Sequence, residues 1–234
     1  MHIPTSSLKT VPLIPLALVC LLFISLPVSA ARHVRAIFIL APDQTVEKAV
    51  LCGGGLQIEI ELPRRNLSPA MEVPSGDLLL AVLPKALAAG QQVPDGVPTV
   101  KIPEAWTRCL LLFFPDPANK LFPVRVMPVN ASMADFPKGH TLIYNVSQAS
   151  IRAKFGDRLV TVRSGACGML KPPISKFGDY PVAIDCTFGG DPKPTAICRS
   201  SWQNDPDARQ ILFVTDMPGN KVPRVWGILD RQEE

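Results

Sequence analysis

The sharpest local constellation in the chain is Ser164-Gly165-Ala166-Cys167-Gly168. Glycines on both sides of a cysteine let its thiol stand out on a tight turn. A nucleophile needs that exposure, and a histidine must then approach it as base. After residue 30 the chain holds only His33 and His140. His140 follows Gly139 and opens an apolar run, as a plain turn residue would. General acid–base work would draw on carboxylates such as Asp135, Asp157 and Asp185, but no spacing singles out a pair. CxxC, HxH and HExxH are all missing from the sequence, so no closed metal site is written in it. Gly53-Gly54-Gly55 lacks the Lys-Ser/Thr and the helix that turn a glycine run into a phosphate cradle. No catalytic, metal-ligating or cofactor-binding residue is assigned.

Cysteines are read first as disulfides when a chain is exported. Cys52, Cys109, Cys167, Cys186 and Cys198 follow the leader described below. Cys186 and Cys198 flank Phe188-Gly189-Gly190-Asp191-Pro192-Lys193-Pro194. A hairpin centred on Pro192 would set them opposite each other, within reach of a bridge. Cys52, Cys109 and Cys167 show no pairing logic, and an odd number leaves one thiol unpaired. For stacking on a sugar, Trp106 is the candidate platform. Trp202 runs in phase with Cys198, and Trp226 with Val222 and Ile228, so both read as core.

The elements that must position these groups are short strands. Gln57–Leu62 alternates strictly, with Ile58, Ile60 and Leu62 on one face and Gln57, Glu59 and Glu61 on the other. Asp77–Leu83 (DLLLAVL) and Cys109–Phe114 (CLLLFF) are apolar on both faces, as strands covered on both sides are. Ile151, Ala153 and Phe155 alternate with Arg152 and Lys154. Phe155-Gly156-Asp157-Arg158 is then the clearest hairpin signal. Val182, Ile184, Cys186 and Phe188 share a face. Proline makes up 25 of the 234 residues, about twice its usual share of roughly 5%. Pro63, Pro84, Pro103, Pro115 and Pro137 all sit where strands stop. No helix stands out, and no repeat at a fixed period is visible. The pattern predicts an all-β fold, an antiparallel β-sandwich of about a dozen short strands, as one large or two small sandwiches. Its one internal boundary is placed near 88–98 (AAGQQVPDGVP), where the periodicity lapses.

Residues 1–30 read as a secretory signal peptide: Lys9 without acids, the apolar run Val11–Pro27, then Val28-Ser29-Ala30. Two rivals stand beside it. Cys20 would be a lipoprotein cysteine, but it lacks a small residue before it. An uncleaved anchor is the other, and Pro12, Pro15 and Pro27 count against it. The β domain then spans 31–230, with a polar tail at 231–234. A net charge of +4 gives no nucleic-acid footprint, and membrane contact would come only through an uncleaved leader. Three sequons (Asn66-Leu67-Ser68, Asn130-Ala131-Ser132, Asn145-Val146-Ser147) carry meaning only in a eukaryotic secretory pathway.

Several phrases occur together: Ile58–Pro63 with Arg64-Arg65-Asn66-Leu67-Ser68-Pro69, Thr107–Phe114 with Pro115-Asp116, Phe136-Pro137-Lys138-Gly139, Tyr144 through Asp157, and Trp202–Pro206 with Arg209–Phe213. With them, most of residues 34–230 resembles a group of uncharacterised exported proteins of planctomycete- and verrucomicrobia-type bacteria. The resemblance implies export and a β-rich fold, and it carries over no functional residue. The expectation is a periplasmic or extracellular, non-enzymatic module that binds a protein or glycan of the cell envelope, or builds structure there. A hydrolase with its site on loops and a carbohydrate-binding module are the alternatives.

Overall fold

The computed structural model describes residues 32–40, 46–189 and 193–231. The expected signal peptide of residues 1–30, Pro42, the expected hairpin tip at Pro192 and residues 232–234 of the polar tail lie outside them. Among the described residues the fold is all-β, without a helix.

The sixteen strands of the described residues fall into two successive sets. The first comprises β1 (Arg32–Phe38), β2 (Lys48–Gly53), β3 (Leu56–Glu61), β4 (Met71–Val73), β5 (Leu78–Leu83), β6 (Thr99–Ile102), β7 (Arg108–Pro115) and β8 (Val124–Asn130). The second comprises β9 (Thr141–Asn145), β10 (Ser150–Phe155), β11 (Arg158–Val162), β12 (Cys167–Leu170), β13 (Gly178–Thr187), β14 (Thr195–Asn204), β15 (Ala208–Thr215) and β16 (Arg224–Arg231). The surplus over the expected dozen includes pieces such as β4 and β12, too short to show a period.

The first set makes two four-stranded sheets, ordered β4-β1-β7-β8 and β3-β2-β5-β6. The second set repeats both orders, as β12-β9-β15-β16 and β11-β10-β13-β14. Each set is therefore a small sandwich of the same topology. Most pairs are antiparallel, as expected, but β1–β7 and β9–β15 are parallel. The repeat escapes a fixed-period search because its spacing drifts. Arg108 and Ala208 open equivalent strands 100 residues apart, whereas Met71 and Cys167 do so 96 apart. The stretch 88–98 joins β5 to β6, and the passage from one set to the other runs through 131–140.

Period-two alternation on the central strands builds the layers. Val34, Ala36, Phe38, Leu111 and Phe113 face Leu51, Ile60 and Leu80 in the first sandwich. Ile143, Leu212 and Val214 face Ile151, Ala153, Phe155, Val182 and Ile184 in the second. The opposite faces of β1 and β7 carry Ile37, Ile39, Leu110, Leu112 and Phe114. These pack on Leu142, Tyr144, Ile211, Phe213 and Ile228. The sandwiches thus stand back to back, in four layers, with an apolar seam between the middle two. Burying a large side chain there stabilises by roughly 1.5–3 kcal/mol. This is why β7 is apolar on both faces: it contributes to two cores.

Arg32 fixes the start of β1. It is buried and donates to the carbonyl oxygens of Trp106 at 3.0 Å and Pro103 at 2.8 Å, with Gly76 as a further acceptor. At the end of β2, Gly53 has φ +152°, and a Cβ there would lie 2.4 Å from the Leu79 carbonyl oxygen. The chain can turn that closely only without a side chain. The predicted hairpin is present: Phe155 registers with Arg158 across Gly156 and Asp157.

The expected Cys186–Cys198 bridge is not formed, and both thiols are free. The β13–β14 register sets Ile184 opposite Cys198 and, past a bulge between Ile184 and Asp185, Thr195 opposite Cys186. Cys52, Cys109 and Cys167 are free as well.

Candidate cleft between the two sandwiches

Where the seam reaches one end of the molecule it opens into a cleft of about 700 Å³. One wall comes from β1 and β7. Their parallel register sets His33 beside Arg108 and Arg35 beside Leu110, all on the face turned to the second sandwich. The other wall comes from Arg209 and Ile211 of β15 and Asp230 of β16. Arg209 and Asp230 are register partners. Asn66, Leu67, Pro69 and Ala70, between β3 and β4, line the side, and Glu61 and Arg231 complete the rim.

The back of the cleft is ionic. Arg209 and Asp230 are both almost fully buried. Arg209 Nε donates to Asp230 Oδ2 at 3.0 Å, and its Nη2 contacts the same oxygen. Its Nη1 donates to the carbonyl oxygens of Ala131 at 2.6 Å and Phe136 at 3.0 Å. The guanidinium lies 4.6 Å over the Phe136 ring. From the first sandwich, Arg35 Nη1 donates to Asp230 Oδ1 at 2.8 Å while its Nε donates to the Ser68 carbonyl at 2.7 Å. One carboxylate is therefore held by two arginines from two sheets. A buried charge persists only when its partners are satisfied this fully. Burial pulls the Arg209 guanidinium below its ordinary value; Asp230 opposes that pull, and Arg108 and Arg35 add to it.

The front differs. Arg231 donates to Asp205 at 3.1 Å, outside the cleft. Arg108 is half-buried, and no side-chain hydrogen bond or ion pair of it is found among the described residues. Cys109 follows it, but its thiol belongs to the first core and burial pushes it up to about 12. It holds its proton at neutral pH and is no nucleophile.

Of the residues singled out from sequence, His33 and Cys109 line the cleft, and the acids, His140 and Cys167 lie elsewhere. Asp135 accepts from Asn130 Nδ2 at 2.7 Å, Asp185 pairs with Arg199, and His140 Nδ1 lies 3.2 Å from the Lys138 carbonyl. Asp157 sits in the β10–β11 turn, and Cys167 is exposed on β12 opposite Tyr144. None of these acids, nor His140 or Cys167, lines the cleft or the smaller cavity of about 160 Å³ beside Trp202 and Trp226. Among the described residues no group of three His, Cys, Asp or Glu is placed to hold a metal ion.

The tryptophans go to three different cores. Trp106, the candidate platform, is half-buried against the first sandwich. Trp202 meets Phe155 edge-on at 5.3 Å in the second, and Trp226 leans on Phe213 at 4.7 Å in the seam. Asn145 of the third sequon is fully buried, its amide donating to the Ala149 and Val162 carbonyls.

The cleft residues carry a signal that pattern reading missed. Arg35 precedes Ala-Ile-Phe-Ile-Leu, Arg108 precedes Cys-Leu-Leu-Leu-Phe-Phe, and Arg209 precedes Gln-Ile-Leu-Phe-Val. An arginine at the mouth of three of the four central strands of the inner sheets, β1, β7 and β15, marks the same end of the molecule three times.

No protein-family model matches the chain, and no curated protein matches it in sequence.

Proposed function

We propose that this protein is an exported, non-enzymatic binding module of the cell envelope that holds its ligand in the cleft between the two sandwiches. The cleft carries the reading. Its volume of about 700 Å³ falls in the range of ligand sites. Its lining mixes apolar strand residues with a few convergent polar groups, but it gathers no nucleophile with a base. Export rests on the leader in residues 1–30 and on the resemblance to exported bacterial proteins. The partner is a protein or glycan of the envelope.

Photocross-linking in the native envelope tests this. A cross-linking residue at Ala70, which is exposed on the cleft wall, is compared with one at the exposed Gly219. We expect Ala70 to capture a discrete product that Gly219 does not, on a chain whose N-terminus is Ala31 or close to it. Identical products from both positions would overturn the cleft. A cytoplasmic chain that keeps Met1 would overturn export.

A further inference from the structure

We infer that the cleft ligand is an organic oxyanion (a carboxylate, or a sulfate or phosphate ester) whose head is held by Arg108 and Arg35 and whose body lies along Pro69 and Ala70. The inference rests on the cleft being the ligand site. The lining carries Arg35, Arg108, Arg209 and Arg231 against Glu61 and Asp230. Asp230 is already shared by Arg35 and Arg209, and Arg231 is turned to Asp205. Glu61 is exposed at the rim and forms no ion pair with Arg108. Among the described residues the arginine of the lining left without an acid is Arg108, half-buried beside His33 and near the buried Arg209. Like charges crowded in a partly dry wall repel, and an anion between them removes the cost.

The donors have the right form. A guanidinium offers a planar fork that matches two oxygens of a carboxylate, sulfate or phosphate. Arg108 has its whole fork available among the described residues. Arg35 spends Nε and Nη1 on Ser68 and Asp230, which leaves Nη2. His33 adds a ring nitrogen on the same wall. Arg209 takes no part: Nε, Nη1 and Nη2 all have protein acceptors, so it anchors Asp230 rather than the ligand. Beyond the cations, the wall offers the exposed apolar surface of Pro69 and Ala70, with Leu67, Leu110 and Ile211 buried behind it. A bare inorganic ion would leave that surface uncovered, so the body of the ligand is organic.

The experiment titrates the full folded chain with four probes, inorganic phosphate, phenyl phosphate, benzoate and benzyl alcohol, by calorimetry and by amide chemical shifts. We expect phenyl phosphate to bind about tenfold more tightly than phosphate, with shifts centred on β1, β7 and β15. Benzoate against phenyl phosphate reports which head group is preferred. Arg108→Gln should lose about tenfold or more for the anionic probes, and Arg108→Lys should recover part of it, with the melting temperature of each variant showing that it folds. Arg108→Gln binding like the parent chain would overturn the inference. So would benzyl alcohol binding as tightly as phenyl phosphate, although the cleft would then remain a ligand site. No shift at the cleft from any probe would overturn the anion assignment; whether a partner sits there is then decided by the Ala70 cross-link alone.

Discussion

The two sandwiches share a topology but treat their outer faces in opposite ways. In the first, the outward side of β2 and β5 carries Val50, Ala81 and Leu83. The chain between β5 and β6 folds over them, with Val97 buried and Leu87 packed alongside. Gln57 ties that segment down, since its side chain both donates to the Leu87 carbonyl and accepts from its N–H. In the second, the equivalent side of β10 and β13 carries Arg152, Lys154 and Asp185 and meets solvent. Equal connectivity therefore does not require equal chemistry. A sheet face becomes apolar only where something covers it. The lapse of periodicity at 88–98 is thus the signature of a cover over a sheet.

The joint between the sandwiches gives the largest expected effect. Asp230→Ala leaves Arg209 buried without its acid and frees Arg35, so a loss of about 3–5 kcal/mol is expected in urea unfolding. The comparison sharpens if the variant melts in two steps while the parent chain melts in one, because the halves would then be separable. Next comes the cover. Val97→Ala should cost about 1–2 kcal/mol, whereas Lys154→Ala on the open face should stay within about 0.5 kcal/mol. Equal costs would erase the distinction between covered and open faces.

The smallest effect is in acid, where the two halves should behave alike. The backbone N–H of Glu104, with Lys101, holds the Asp77 carboxyl below its ordinary value. The backbone N–H of Asp207, with Arg231, does the same for Asp205. A carboxyl lowered in the folded state adds stability that is present above its unfolded value, near pH 4, and is lost as pH falls through the folded one. Asp77→Asn and Asp205→Asn should each flatten that acid limb slightly in melting temperature against pH. A change at neutral-to-alkaline pH alone would contradict the assignment.

Much of the fold was legible because burial leaves a period. Ile58, Ile60 and Leu62 alternate on β3 and its exit. Leu78–Leu83 and Cys109–Phe114 run apolar because both their faces are covered, with exposed Leu79 the exception. Parallel pairing was not legible, since His33 meeting Arg108 depends on contacts 75 residues apart. The cysteine pairing failed because the β13–β14 register sets Ile184 opposite Cys198 and Thr195 opposite Cys186. A turn centred on Pro192 would have required Cys186 opposite Cys198, and the bulge at Ile184 does not account for that offset. The cleft stayed hidden for a related reason. Arg35, Arg108, Arg209 and Asp230 are distant in sequence and meet only when two sandwiches dock.

The parallel pair in each sandwich also sets an order of assembly. While the chain is being made, β1 with its Ala-Ile-Phe-Ile stretch has the three-residue β4 and isolated backbone bonds to Pro63 and Ser68, but no full strand beside it until residue 108 and beyond emerge. The same wait recurs from β9 to β15. Long-range pairing of this kind folds slowly, and an apolar strand left half-paired meanwhile invites wrong partners. The arrangement that gives the finished molecule its two-sided central strands is also what makes its youngest form sticky.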